Sequence, residues 1–336
     1  MTVTHAPPAR KQSTRGTAEP LAVTASTADD DGPQERPRRR LPSLRALIVG
    51  ALVVVAVFLV AVGAVVYGIG SLVHARDQRA LMTTERSAIA TAAVEAKALD
   101  HVNLPTHPPA PGEPVGVLAI PALGINQAVV EGVGSSQTVS GPGHVPGTAG
   151  LGLPGNAAVV GRNAGYGGVF GRLDQLKPGD QVLTATIEGQ SIYVVRRVAR
   201  VTLGSPSAAT GSTPTVSLKS LYRRTSDNRL TLVTSASATP WNSSAAIEVT
   251  AVLRGKPYEP TRQEARSPGQ QGSTGDSGAW GELLLSLLAL AVAAVGALFL
   301  YRRCTVRSAY LLSTAPIVAC TVFAAEAISR LLPAWM

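Results

Sequence analysis

The sequence predicts an all-β domain held between apolar helices, and three observations carry that expectation. Residues 114–256 break into short runs of β-branched and apolar residues separated by turn signals. Apolar runs long enough to cross a bilayer flank this region, an uncharged one before it and two more after. The two cysteines, Cys304 and Cys320, lie in or beside the last apolar runs. The β region therefore has no disulfide, no thiolate nucleophile and no cysteine metal site.

Each element follows in chain order. Residues 1–45 are rich in Pro, Thr, Ser and Arg and cannot bury enough surface to offset chain entropy, so a disordered tail is expected. It closes on a basic cluster, Arg36, Arg38, Arg39, Arg40 and Arg45. The run 46–73 carries no charge and is far longer than the roughly 7–15 apolar residues of a signal peptide, which predicts an uncleaved anchor. A stalk and Pro-rich linker occupy 74–113, and a second linker, 257–280, leads back to the membrane. Two further apolar runs, 281–301 and 308–329, are joined by a basic loop, 302–307, with Arg302, Arg303 and Arg307. Basic clusters mark cytoplasmic loops. Three spans in a cell membrane would then put the tail and the 302–307 loop inside and the β domain outside. Pro316 and Glu326 fall within the third run, which leaves a helix lying on the membrane surface as its alternative.

Within 114–256 the strand candidates are "GVLAI", "QAVV", "AAVVG", "QVLTATI", "SIYVVRRVARVTL", "RLTLVTS" and "AIEVTAVL". Turn signals such as Pro178-Gly179-Asp180 and Glu188-Gly189 separate them. Seven or eight short strands argue for a sandwich or a closed barrel. Only "FGRLDQL" reads as a helical turn.

The order of the segments "GVLAIPALGINQAVVEGV", "GPGHVPGTAGLGLPGNAAVVGRN", "GGVFGRLDQLKPGDQV" and "LTLVTS" resembles the sortases of Gram-positive bacteria, the class E-like members in particular. The resemblance spans essentially all of 114–256. It implies a sortase-like eight-stranded β-barrel with a groove for an extended sorting peptide, on a membrane anchor, acting as a cysteine transpeptidase that joins proteins to the cell wall.

Three catalytic residues are implied by that resemblance, and none is present. The nucleophilic cysteine should follow "TLVT", where Ser235 stands. The histidine should follow the glycine of "VVG", where Gly161 is followed by Arg162 and Asn163. An arginine is expected shortly before "IEVTAVL", where the chain reads Asn242 to Ala246. A serine hydroxyl is a poor nucleophile without a base to take its proton, and Arg162 stays protonated. His144, in "GPGHVPGT", reads as a structural turn residue.

The expectation is a pseudoenzyme: a non-catalytic homologue that binds or scaffolds cell-wall or sorting-signal partners. The ligand-binding candidates are Arg162, Asn163, Ser235 and His144. Arg162, with a guanidinium fork suited to carboxylates, would make the vacated site an anion-binding groove. Sorting-signal peptides and anionic wall polymers are the expected ligands. No cofactor and no metal are implied. Despite a net charge of +9, nucleic acid is not an expected partner of a domain placed outside the cell. The alternative is an atypical transpeptidase or hydrolase that uses Ser235.

Overall fold

The computed structural model describes residues 45, 56, 58–99, 107–204, 215–237, 239, 244–259, 272–303 and 306–335. The tail before Arg45, the first part of the first apolar run, Asn242 and Ser243 of the expected arginine position, and Cys304 lie outside the described residues. Packing divides the chain into Met1–Gly50 and Ala51–Met336. Arg45, helical and exposed, is the described residue of the first unit.

Nine strands form one sheet: β1 (Pro114–Ile120), β2 (Ile125–Glu131), β3 (Gly143–His144), β4 (Asn156–Val160), β5 (Gln181–Thr186), β6 (Gly189–Leu203), β7 (Thr215–Val216), β8 (Arg229–Ser235) and β9 (Ala245–Arg254). Their order is β5-β1-β2-β3-β4-β8-β9-β6-β7, and β5 also pairs with β6. Eight strands thus close on themselves, so the fold is the barrel and not the open sandwich; β7 is appended to β6. Closure depends on the long β6. Its first half pairs with β5 and nearly its whole length with β9, with a register shift between Val195 and Arg197. Such a bulge bends a strand and raises its twist, letting one strand serve both sides of the seam.

Side chains alternate between the two faces of each strand. Inward go Leu118, Ile120, Val129, Ala157, Val159, Leu230, Leu232 and Val249, packed with Phe170 and Tyr193. Outward on the wall of β4, β8, β9 and β6 go Ala158, Val160, Val233, Ala246 and Val201, which form a second buried cluster. That outer cluster positions the site.

Among the described residues five α-helices accompany the barrel: α1 (Gly70–Leu99), α2 (Ser135–Ser140), α3 (Leu218–Leu221), α4 (Ala279–Arg303) and α5 (Val306–Leu331). A π-helical stretch, Ala64–Ile69, runs straight into α1. The expected stalk is therefore part of a long helix, and it lies against the barrel. Gln78 bonds the Ala128 N–H and the Ala128 and Ser140 carbonyls, while His74 bonds the Val139 carbonyl. Helices α4 and α5 form an antiparallel hairpin closed at its barrel end by Arg330, which pairs with Glu282 and Glu326. Three helices, Phe58–Lys97, Ala279–Leu300 and Leu311–Leu331, are long and apolar enough to cross a membrane. Leu284, Leu288, Val292, Leu298 and Phe299 of α4 point outward from the hairpin and are exposed, as side chains facing lipid would be.

Candidate functional site

The site forms where β4 and β8 end. They run parallel with Val160 opposite Val233, so the Gly161–Asn163 corner and the end of β8 at Ser235 lie at the same end of the wall. The Gly161 N–H still donates to the Val233 carbonyl at 3.1 Å. Gly161 must lack a side chain, because a Cβ there would sit 2.4 Å from the Phe170 ring. The Phe170 N–H donates to the Arg162 carbonyl at 2.9 Å. The "VVG" and "FGRL" segments of the sequence are thus two halves of one corner.

Ser235 is fully buried. Its hydroxyl donates to the Ser237 carbonyl at 2.8 Å and accepts from the Ser237 N–H at 3.2 Å. Among the described residues no titratable group lies within hydrogen-bond distance of that oxygen. Asn163 fixes the backbone: its Nδ2 donates to the Ser235 carbonyl at 2.7 Å. One residue further on, Arg200 of β6 donates to the Ala236 carbonyl at 3.2 Å. Arg200 is exposed and lies on β6, not near the start of β9 where an arginine was expected.

Arg162 does not present its charge to an open groove. It is 3% exposed, donates from Nη2 to the Ser135 carbonyl at 3.1 Å, and stacks 5.1 Å from the Tyr166 ring centroid. Burial lowers its pKa to about 10, so it remains a cation at neutral pH.

His144 stands apart from the other three candidates. On β3 its Nδ1 meets Glu131 Oε2 at 2.7 Å, and its Nε2 meets the Ala149 carbonyl at 2.8 Å and Thr148 Oγ1 at 3.0 Å. Both ring nitrogens face acceptors, since Thr148 gives its own proton to the Val145 carbonyl. Burial alone would lower the His144 pKa, but the hydrogen bond to Glu131, its charge and the Ala149 carbonyl raise it overall. His144 and Glu131 border a cavity of about 400 Å³ that includes neither Ser235 nor Arg162.

The outer wall beside Ser235 is covered. Helix α3 lies over one part of it, pinned by Asn156, whose Nδ2 donates to the Leu221 and Arg223 carbonyls while its Oδ1 accepts from Thr231. The rest is covered by the segment after α5. Trp335 is fully buried and packs into the outer cluster. Its carbonyl accepts from the Asn163 N–H at 3.0 Å, with longer contacts of 3.4 Å from the Ser235 N–H and from Thr234 Oγ1. Nothing in the local sequence of residues 332–335 signals this seat.

A family model for the sortase domain matches residues 118–251, nearly the whole barrel. Similar solved structures include a Clostridium perfringens sortase D5 transpeptidase, 18% identical, covering 52% of this chain and 99% of that one at a TM-score of 0.38. Sortase E from Streptomyces avermitilis is 29% identical, over 44% of this chain and 91% of that one, at a TM-score of 0.34. A point mutant of that sortase E aligns at 33% identity with the same coverage and a TM-score of 0.33. No curated protein matches the chain. Residues 118–251 therefore form a sortase domain, which places the barrel in the sortase family.

Proposed function

We propose that the protein is a non-catalytic member of this family, a pseudo-sortase of the class E-like kind, which holds an extended peptide at the end of β4 and β8 without cutting it. The observation that carries the reading is the state of Ser235. Its hydroxyl is spent on the Ser237 backbone, and the cation Arg162 cannot accept a proton. Losing one member of a catalytic set removes orders of magnitude in rate; here the sequence replaces the cysteine and the histidine together. What remains is a pair of main-chain N–H groups, from Asn163 and Ser235, aimed at a peptide carbonyl above an apolar floor.

A peptide suits this arrangement better than an anionic wall polymer. The cation expected to attract an anion is turned inward to Ser135 and Tyr166. The setting is the outer face of a cell membrane, with three spans and the basic tail and loop inside. In support, α4 begins and α5 ends at the barrel side, where the Asp276 N–H donates to the Arg330 carbonyl at 2.7 Å. The basic loop is then left at the far end of the hairpin.

The test is intact-protein mass spectrometry of the full chain after incubation with sorting-signal peptides. No adduct at Ser235 is expected, and an acyl adduct there would overturn the proposal.

A further inference from the structure

From the seating of Trp335 we infer that the groove beside Ser235 has a resident ligand, the chain's own segment Leu332–Trp335, which the α4–α5 hairpin delivers as a tethered peptide. The inference rests on the peptide-holding reading above and deepens it by naming the occupant.

Three independent contacts define the seat. The Trp335 carbonyl takes the Asn163 N–H at 3.0 Å, at the corner where β4 ends. The Trp335 N–H donates to the Gly272 carbonyl at 3.2 Å, so this one residue is held through both of its main-chain groups. At the other end Ser135 Oγ donates to the Leu332 carbonyl at 2.6 Å. Ser135 is itself held, because its carbonyl accepts from Arg162. Arg162, in the place of the family's histidine, thus acts as a positioning residue for the occupant. Gly272 fits for a steric reason: a Cβ there would meet Val160 at 2.9 Å, so the two covering segments lie directly on the barrel wall.

The side chain explains the choice of residue. Trp335 and Ala334 are both fully buried, and the indole belongs to the same buried cluster as Val160 and Val233 of the wall and Leu221 of α3. The indole N–H meets no acceptor among the described residues. The seat therefore reads shape and apolar area, and an aromatic side chain without a donor should fit as well. A tether presents its peptide at an effective concentration of about millimolar, so a free peptide of similar sequence is outcompeted.

The experiment uses the full chain in membranes, in a Cys304→Ser, Cys320→Ser background. Ser135→Cys and Leu332→Cys are introduced together and treated with a short bifunctional thiol reagent. Rapid intramolecular cross-linking is expected; it should slow at least tenfold when Trp335→Ala is added and persist with Trp335→Phe. Absence of the cross-link in the parent pair, or indifference to Trp335→Ala in a protein that keeps its unfolding temperature, would overturn the inference. The parent pair decides alone should Trp335→Ala fail to fold. A second arm adds a labelled "LLPAWM" peptide to the parent and to a chain ending at Leu331. At least tenfold tighter capture by the shortened chain is expected, and equal capture by both would refute resident occupancy. Peptide cleavage at Ser235 would defeat the non-catalytic reading while leaving the cross-link intact, so the two failures are distinguishable.

Discussion

His144→Gln removes one half of the most deeply buried ion pair in the barrel wall. The two side chains are each 2% exposed, and the Nδ1–Oε2 distance is 2.7 Å. Deleting one partner of such a pair leaves the other charge buried without compensation, which costs about 3–5 kcal/mol. At the 2–4 °C per kcal/mol typical of a domain of this size, the unfolding midpoint should fall by about 6–20 °C. Thermal unfolding of the full chain in detergent, followed by near-ultraviolet circular dichroism, measures this directly. The double variant Glu131→Gln with His144→Gln should recover part of the loss, because no charge is then stranded. The pH dependence has a fixed sign. The folded pKa of His144 is raised, so the pair's contribution is full below the unfolded value of about 6.5 and fades as pH rises through the folded value. The gap between parent and variant should therefore narrow toward alkaline pH. A midpoint unchanged within about 2 °C, well under the predicted shift, would refute the reasoning.

Arg162→Ala should destabilise the chain by about 1.5–3 kcal/mol, the range for a hydrogen bond to a charged group, read as a lower unfolding midpoint. Tyr193→Phe strands the Gly152 N–H that its hydroxyl accepts at 2.7 Å, and should cost about 1–3 kcal/mol by the same assay. Burial raises the Tyr193 pKa to about 12, so its ionisation should be absent from a spectrophotometric titration at pH 10. For topology, a membrane-impermeant thiol reagent on intact cells should spare Cys304 and label a cysteine introduced at 257–278; the reverse pattern would place the barrel inside.

The sequence made the barrel legible where the chain carries its own pattern. The alternation in "RLTLVTS" gave β8, the Pro178-Gly179-Asp180 turn gave the start of β5, and the long apolar runs gave the membrane-length helices. Elements that depend on distant partners were not legible. Helix α2 has no apolar periodicity, and it is held by His74 and the side chains of Gln78 and Asp77 reaching from α1. Strand β3 is two residues long and exists because Glu131 and His144 face each other across its pairing with β2. At the site, the motif order put Ser235 and Arg162 just beyond the ends of β8 and β4, two strands that pair in parallel up to Val160 and Val233. The direction of the Arg162 side chain was beyond sequence reading, since it is set by Ser135 and Tyr166. So was the filling of the groove. β8 is buried on both faces because Trp335, a hundred residues further along the chain, closes the outer one.

The most direct test of the central claim is turnover of a sorting-signal peptide by the full chain in membranes, measured beside Ser235→Ala and Ser235→Cys. The account predicts no cleavage above the Ser235→Ala background in the parent. It also predicts none in Ser235→Cys, because the side chain at that position meets the Ser237 backbone and, among the described residues, no base that could take the thiol proton. Cleavage by the parent that disappears in Ser235→Ala would contradict it.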